Sequence, residues 1–150
     1  MAYQSGFGFE SERVHAAAVY CSDGRFGDHC DEFLHHHLNL PNYDRVAVPG
    51  GPGAFAGHQM GALSARGLER DIGFLIEAHS LRRVILIAHA GCAFYIHRLR
   101  LEPGGVWMQQ KADLELVASR LRSAFAGLTV ESYLAWPTEE GVGFGPVTEV

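Results

Sequence analysis

Three side chains of this 150-residue chain have the chemistry of a metal shell: Cys21, His89 and Cys92. Thiolates and imidazoles are donors that zinc prefers in a tetrahedral shell, and a catalytic zinc site keeps three protein ligands and leaves the fourth position to water. His89 and Cys92 lie three residues apart in His89-Ala90-Gly91-Cys92, where a short turn can aim both at one atom. Cys21 opens the polar run Cys21-Ser22-Asp23-Gly24-Arg25. Taken singly, a thiol at a strand end or an H-x-x-C pair is more often a packed cysteine or a capping imidazole. The elements around them supply the reason to join them.

Residues 14–20 form a short apolar run that stops at Cys21, the pattern of a buried strand feeding a loop. Residues 28–40 carry Phe33, Leu34 and Leu38 at helical spacing, and Pro41-Asn42 marks the stop. The unit then repeats. Residues 45–48 read as a second strand, 49–53 as a glycine- and proline-rich loop, and 63–78 as a helix with Leu68, Ile72, Leu75 and Ile76 on one face. Residues 83–88 are the most strand-like run and end at His89, before another helical pattern through Ile96. After Gly104-Gly105, residues 110–125 read as a surface helix. Residues 128–136 read as a strand, 138–141 as a turn and 142–150 as a return strand. This order predicts an α/β fold: a doubly wound, mostly parallel sheet with flanking helices and a C-terminal edge hairpin. Ligands of such sheets bind at the carboxyl ends of strands, where both cysteine motifs fall.

The length suits a single domain over residues 1–150. A net charge of -5, with both signs mixed along the chain, gives no basic stripe for nucleic acid. Residues 1–13 lack the charged start and apolar run of a signal peptide, and no apolar stretch reaches the length of a membrane span. The expectation is a cytoplasmic protein. Three cysteines are an odd number without a secretory context, which favours thiol or metal chemistry over disulfides.

Cys21-Ser22-Asp23-Gly24-Arg25 resembles the C-x-D-x-R motif of the β-class carbonic anhydrases, and His89-Ala90-Gly91-Cys92 resembles their H-x-x-C motif, in the same order and with a βα unit between. The likeness runs from about Val14 to the end of the chain. It implies Zn2+ on Cys21, His89 and Cys92, with Asp23 and Arg25 as a carboxylate and guanidinium pair beside it. The implied activity is reversible hydration of carbon dioxide to bicarbonate by hydroxide held on zinc. An ionised Asp23 can only accept a hydrogen bond and so would orient that hydroxide, and Arg25 would keep Asp23 ionised and off the metal. If Asp23 swings onto the metal it closes the shell as a fourth ligand. The ordinary reading of this pair is a surface ion pair capping the next helix.

Where the family carries an Arg-Asn-Ala-Gly-Asn type of loop, this chain has Val48-Pro49-Gly50-Gly51-Pro52, so Gly51 is left to offer a backbone N–H to substrate. Phe26, Phe55 and Tyr95 are the candidate walls of an apolar substrate pocket. A homodimer or higher homo-oligomer is expected, since a parallel sheet with an apolar tail exposes an edge. Two other functions remain: a zinc hydrolase of carbonyl sulfide or carbon disulfide, and a non-catalytic zinc-binding or regulatory module closed by Asp23. His35, His36 and His37, with His29 and Cys30 nearby, suggest a second metal cluster, but consecutive helical residues point about 100° apart and read better as a solvated face. Neither a P-loop nor a G-x-S-x-G elbow is present.

Overall fold

The computed structural model describes residues 1–58 and 62–150. Five strands form one sheet in the order β2-β1-β3-β4-β5: β1 (Ala16–Cys21), β2 (Asp44–Val48), β3 (Arg83–His89), β4 (Thr129–Pro137) and β5 (Val142–Pro146). The first four are parallel, and β5 returns antiparallel along β4. The expected α/β sheet with its C-terminal hairpin is therefore present. β1 and β3 lie inside the sheet and are apolar almost throughout, because both of their faces are covered. β2 alternates between half-buried and exposed, as an edge strand must.

Alternation along the strands sends side chains to two cores. Ala17, Val19, Val84, Leu86 and Ala88 face the layer made by α2 (Ala62–Ala78) and α3 (Val106–Ala124), where Ile72, Ile76, Leu114, Val117 and Leu121 close the packing. Ala16, Ala18, Tyr20, Ile85 and Ile87 face the opposite layer, made by α1 (Gly27–Glu32) and the turn after it, with Phe26, Phe33 and Leu34. Leu34 and Leu114, one in each layer, are fully buried. Deleting either side chain to Ala should cost roughly 2–5 kcal/mol.

The expected helix over residues 28–40 is divided. It is α-helical only to Glu32, and Phe33–His37 is a wider π turn closed by a bond of 3.1 Å from the Leu38 N–H to the Phe33 carbonyl. Asn39 then takes a left-handed conformation and stops the helix before Pro41. The same device follows β3. Phe94–Arg98 is a π turn, the Leu99 N–H reaches the Phe94 carbonyl at 3.0 Å, and Arg100 is left-handed. Leu40 N–H to Leu34 O and Leu101 N–H to Tyr95 O, both 3.0 Å, complete the match. The two segments also share four of eight residues, Phe33 with Phe94, His36 with His97, Leu38 with Leu99 and Leu40 with Leu101. Each copy follows a strand that ends on a candidate ligand, Cys21 for β1 and His89 for β3.

α3 begins four residues earlier than expected, since Pro103–Gly105 forms a 3-10 turn that leads straight into Val106. β5 ends at Pro146, short of the expected 150, because the ladder to β4 closes there. The loop after β2 is also ordered: Gly51–Phe55 is a 3-10 helix entered through Gly50 at φ +86°, a backbone shape that favours glycine.

Candidate metal centre

β1 and β3 are parallel neighbours in register from Ala16 with Arg83 to Val19 with Leu86, so their carboxyl ends lie side by side. Cys21 is the last residue of β1 and His89 the last of β3. Gly91, at φ +67°, turns the chain so that Cys92 comes back beside them. The ligand atoms of Cys21, His89 and Cys92 lie within 4.8 Å of one another, and the two sulfurs are 3.9 Å apart. Two sulfurs bound at about 2.3 Å with tetrahedral angles would stand about 3.8 Å apart, so the spacing already matches zinc.

The imidazole supplies an independent test. His89 Nδ1 donates to the Ala90 carbonyl at 2.9 Å, which leaves Nε2 as the lone-pair nitrogen. That Nε2 is buried and has no hydrogen-bond partner among the described residues. A buried polar atom in this state is costly in an apolar protein and suited to a metal ligand. The Phe26 ring lies over the imidazole with centroids 4.2 Å apart. On the other side, the Gln110 amide donates to the His89 carbonyl at 2.8 Å. Two cysteines and one imidazole fit zinc in donor type and spacing.

The thiols differ. Cys21 is driven toward thiolate, first by the hydrogen bond from the Cys92 thiol and also by the Gly50 N–H, which lies 3.4 Å from its sulfur. The same contact, together with burial, raises Cys92. Cys30, the third cysteine, is pushed up to about 12 by burial and packs as an inert core thiol.

Arg25 holds Asp23 from two sides. Its Nη2 donates to Asp23 Oδ2 at 2.6 Å and its Nε to Oδ1 at 3.0 Å, while the Arg25 backbone N–H also reaches Oδ1 at 3.0 Å. These bonds hold the carboxyl near a pKa of about 2, with the Arg25 side-chain hydrogen bonds as the main cause. Asp23 Oδ2 is 3.9 Å from His89 Nε2, so the carboxylate borders the metal position while bound to the guanidinium. Gly51 lies against β1, where an added Cβ would come within 2.8 Å of the Cys21 nitrogen. Of the expected pocket walls, Phe26 and Tyr95 pack by the ligands, Phe26 on His89 and Tyr95 with Cys92. Phe55 instead belongs to the core between the sheet and α2 and α3. The histidines at 29, 36 and 37 line a separate surface cleft with Phe144, and His37 stacks on Phe33.

Sequence reasoning missed Gly50 and Gln110. Gln110 left a signal, being a polar residue four before Leu114 and seven before Val117, on the stripe of α3 that faces the core.

A family model described as "Putative carbonic anhydrase" matches residues 11–113, more than half of the chain and including every residue of this centre. The chain belongs to that carbonic anhydrase family. Among solved structures it is similar to a carbonic anhydrase from Glaciozyma antarctica, at 15% identity and a TM-score of 0.52, covering 89% of this chain and 81% of that one. It is also similar to the β-carbonic anhydrase CafD of the filamentous fungus Aspergillus fumigatus, at 11% identity and a TM-score of 0.52, covering 94% of this chain and 93% of that one. At such identities the likeness carries the fold, which is that of the β-carbonic anhydrases. No curated protein sequence matches the chain. Within this carbonic anhydrase fold, the three candidate ligands sit at the carboxyl ends of the two inner strands that come first and third in the chain.

Proposed function

We propose that the chain is a zinc-dependent carbonic anhydrase that hydrates carbon dioxide to bicarbonate. The observation that carries this reading is the convergence of Cys21, Cys92 and a partnerless His89 Nε2 beside an Asp23 that Arg25 holds to itself. Cys21, His89 and Cys92 would hold the ion, and a bound zinc supplies Lewis-acid chemistry that brings a water's pKa down to about 7. Everything else falls to the chain's own groups. Asp23, ionised and able only to accept, orients the attacking water through its proton. Arg25 keeps that carboxylate in place with paired hydrogen bonds. Phe26 and Tyr95 give the surroundings an apolar wall that suits an uncharged linear substrate.

The test is a direct assay of carbon dioxide hydration by zinc-loaded protein, with carbonyl sulfide run in parallel. Hydration that depends on zinc is the expected result. Turnover of carbonyl sulfide alone would move the substrate assignment, and inactivity toward both would leave a binding module closed by Asp23.

A further inference from the structure

Asp113, on α3, is a buried carboxylate that the metal reading does not use: its side chain is 4% exposed, and neither lysine nor arginine pairs with it among the described residues. Its charge is met instead by three donors. Tyr95 Oη and His58 Nε2 each bond Oδ2 at 2.7 Å, and Gln109 Nε2 bonds Oδ1 at 2.9 Å. Burying a carboxylate in an apolar layer is unfavourable even when it is fully bonded, and an apolar residue of similar volume would commonly serve stability as well. The group therefore asks for a role beyond packing.

What Asp113 holds leads to the metal ligands. The Tyr95 backbone N–H bonds the Cys92 carbonyl at 3.1 Å, and its ring packs with Cys92 in one buried cluster. The Tyr95 hydroxyl presses on Gly53, where an added Cβ would fall 2.0 Å from the oxygen. Gly53 is tied back to Gly50 by a bond of 3.1 Å, and the Gly50 N–H points at the Cys21 sulfur. One turn of α3 thus reaches all three ligands: Gln110 through the His89 carbonyl, and Asp113 through Tyr95 to Cys92 and to the loop over Cys21.

We infer that Asp113 is a positioning residue for the metal centre, acting through the Tyr95 hydroxyl to hold Cys92 and the Gly50–Gly53 loop in ligating geometry. The inference rests on the metal reading above. Outer partners of metal ligands typically govern affinity by about 10- to 100-fold, and Asp113 falls in that range although it touches no ligand side chain directly.

The experiment measures Co(II) affinity by chelator competition, together with the thiolate-to-Co(II) absorption band, in wild type and five variants. Asp113→Ala weakens affinity about 10- to 100-fold and alters the band. Tyr95→Phe, which removes one oxygen and keeps the ring, reproduces that loss, and the double variant is no worse than either single one, as members of one chain of contacts require. Asp113→Asn keeps an acceptor for the Tyr95 hydroxyl and recovers most of the affinity. Val117→Ala, a core truncation on the same helix, lowers the melting temperature without changing the band. Should Asp113→Ala fail to fold, Tyr95→Phe decides the matter alone. Wild-type affinity and band in Tyr95→Phe, or an equal loss in Val117→Ala, overturns the inference and leaves the metal reading standing. A wild-type chain that takes up no Co(II) overturns both.

Discussion

Arg25 grips both carboxylate oxygens of Asp23, yet Asp23 Oδ2 remains 3.9 Å from His89 Nε2. One carboxylate is thus placed between a guanidinium that holds it and a metal position that would take it. The Arg25 side chain is 72% exposed, so the clamp is a bidentate contact at the mouth of the site and depends on geometry more than on burial.

The first prediction concerns the ion. Purified protein carries one zinc per chain by elemental analysis, and either Cys21→Ser or Cys92→Ser loses it, since zinc strongly prefers thiolate to hydroxyl. Cys30→Ser retains zinc, because Cys30 packs in the other core with Phe33 and Leu34. Full occupancy in the Cys21 and Cys92 variants would remove the basis of the functional reading.

Much of this centre was legible in the sequence. Apolar runs that stop at Cys21 and His89 place both residues at strand ends, and a parallel sheet brings such ends together. The π turns were not legible, because Phe33, Leu34 and Leu38 fit a 3.6-residue period well enough to hide the wider turn that Asn39 terminates. Phe55 was misplaced for another reason. The loop after β2 looked like an open glycine segment, whereas it winds into a 3-10 helix that carries Phe55 into the layer of α2 and α3. Asp113 reads as one more surface charge of α3 until Tyr95, Gln109 and His58 are seen to enclose it.

A second prediction concerns assembly. Tyr3, Phe7 and Phe9 are almost fully exposed, and β2 is an edge strand with one unpaired side. Light scattering at micromolar concentration is expected to give a homodimer or a multiple of it. A monomer would contradict the expectation.

Acid stability gives a third. Arg83 bonds Glu131 at 2.5 and 3.0 Å, with the Tyr133 hydroxyl donating at 2.9 Å, and the Arg83 hydrogen bonds lower the Glu131 pKa below the ordinary glutamate range. A carboxyl lowered on folding adds stability that is fully present above the unfolded value of about 4.3 and fades as pH falls through the folded one. Glu131→Gln therefore lowers the unfolding free energy measured by urea titration at pH 7, by an amount on the order of 1 kcal/mol for a partly exposed pair. The gap between the two proteins narrows as pH falls from about 6 to 3. A gap that stays constant across that range would show that the ionised pair contributes nothing to folding.

The last prediction returns to Asp23. Because Arg25 holds its carboxyl near a pKa of about 2, Asp23 is ionised throughout the neutral range and cannot be the group whose titration switches activity there. Hydration should instead climb through a midpoint near 7 or somewhat above, the value to which zinc brings a bound water. Asp23→Asn removes the charge and turns half of an acceptor into a donor, so its rate is expected to fall by about 10²-fold or more at every pH. Arg25→Ala acts differently. It frees the carboxylate, whose Oδ2 lies 3.9 Å from His89 Nε2, to serve as a fourth ligand, and so would abolish hydration with zinc still bound. Rates from about pH 6.5 to 9, with zinc content checked in each protein, separate the cases. If both variants match an active wild type, the pair is a loop ion pair and nothing more; if Arg25→Ala loses its zinc, the guanidinium supports the site's fold and does not guard its open position.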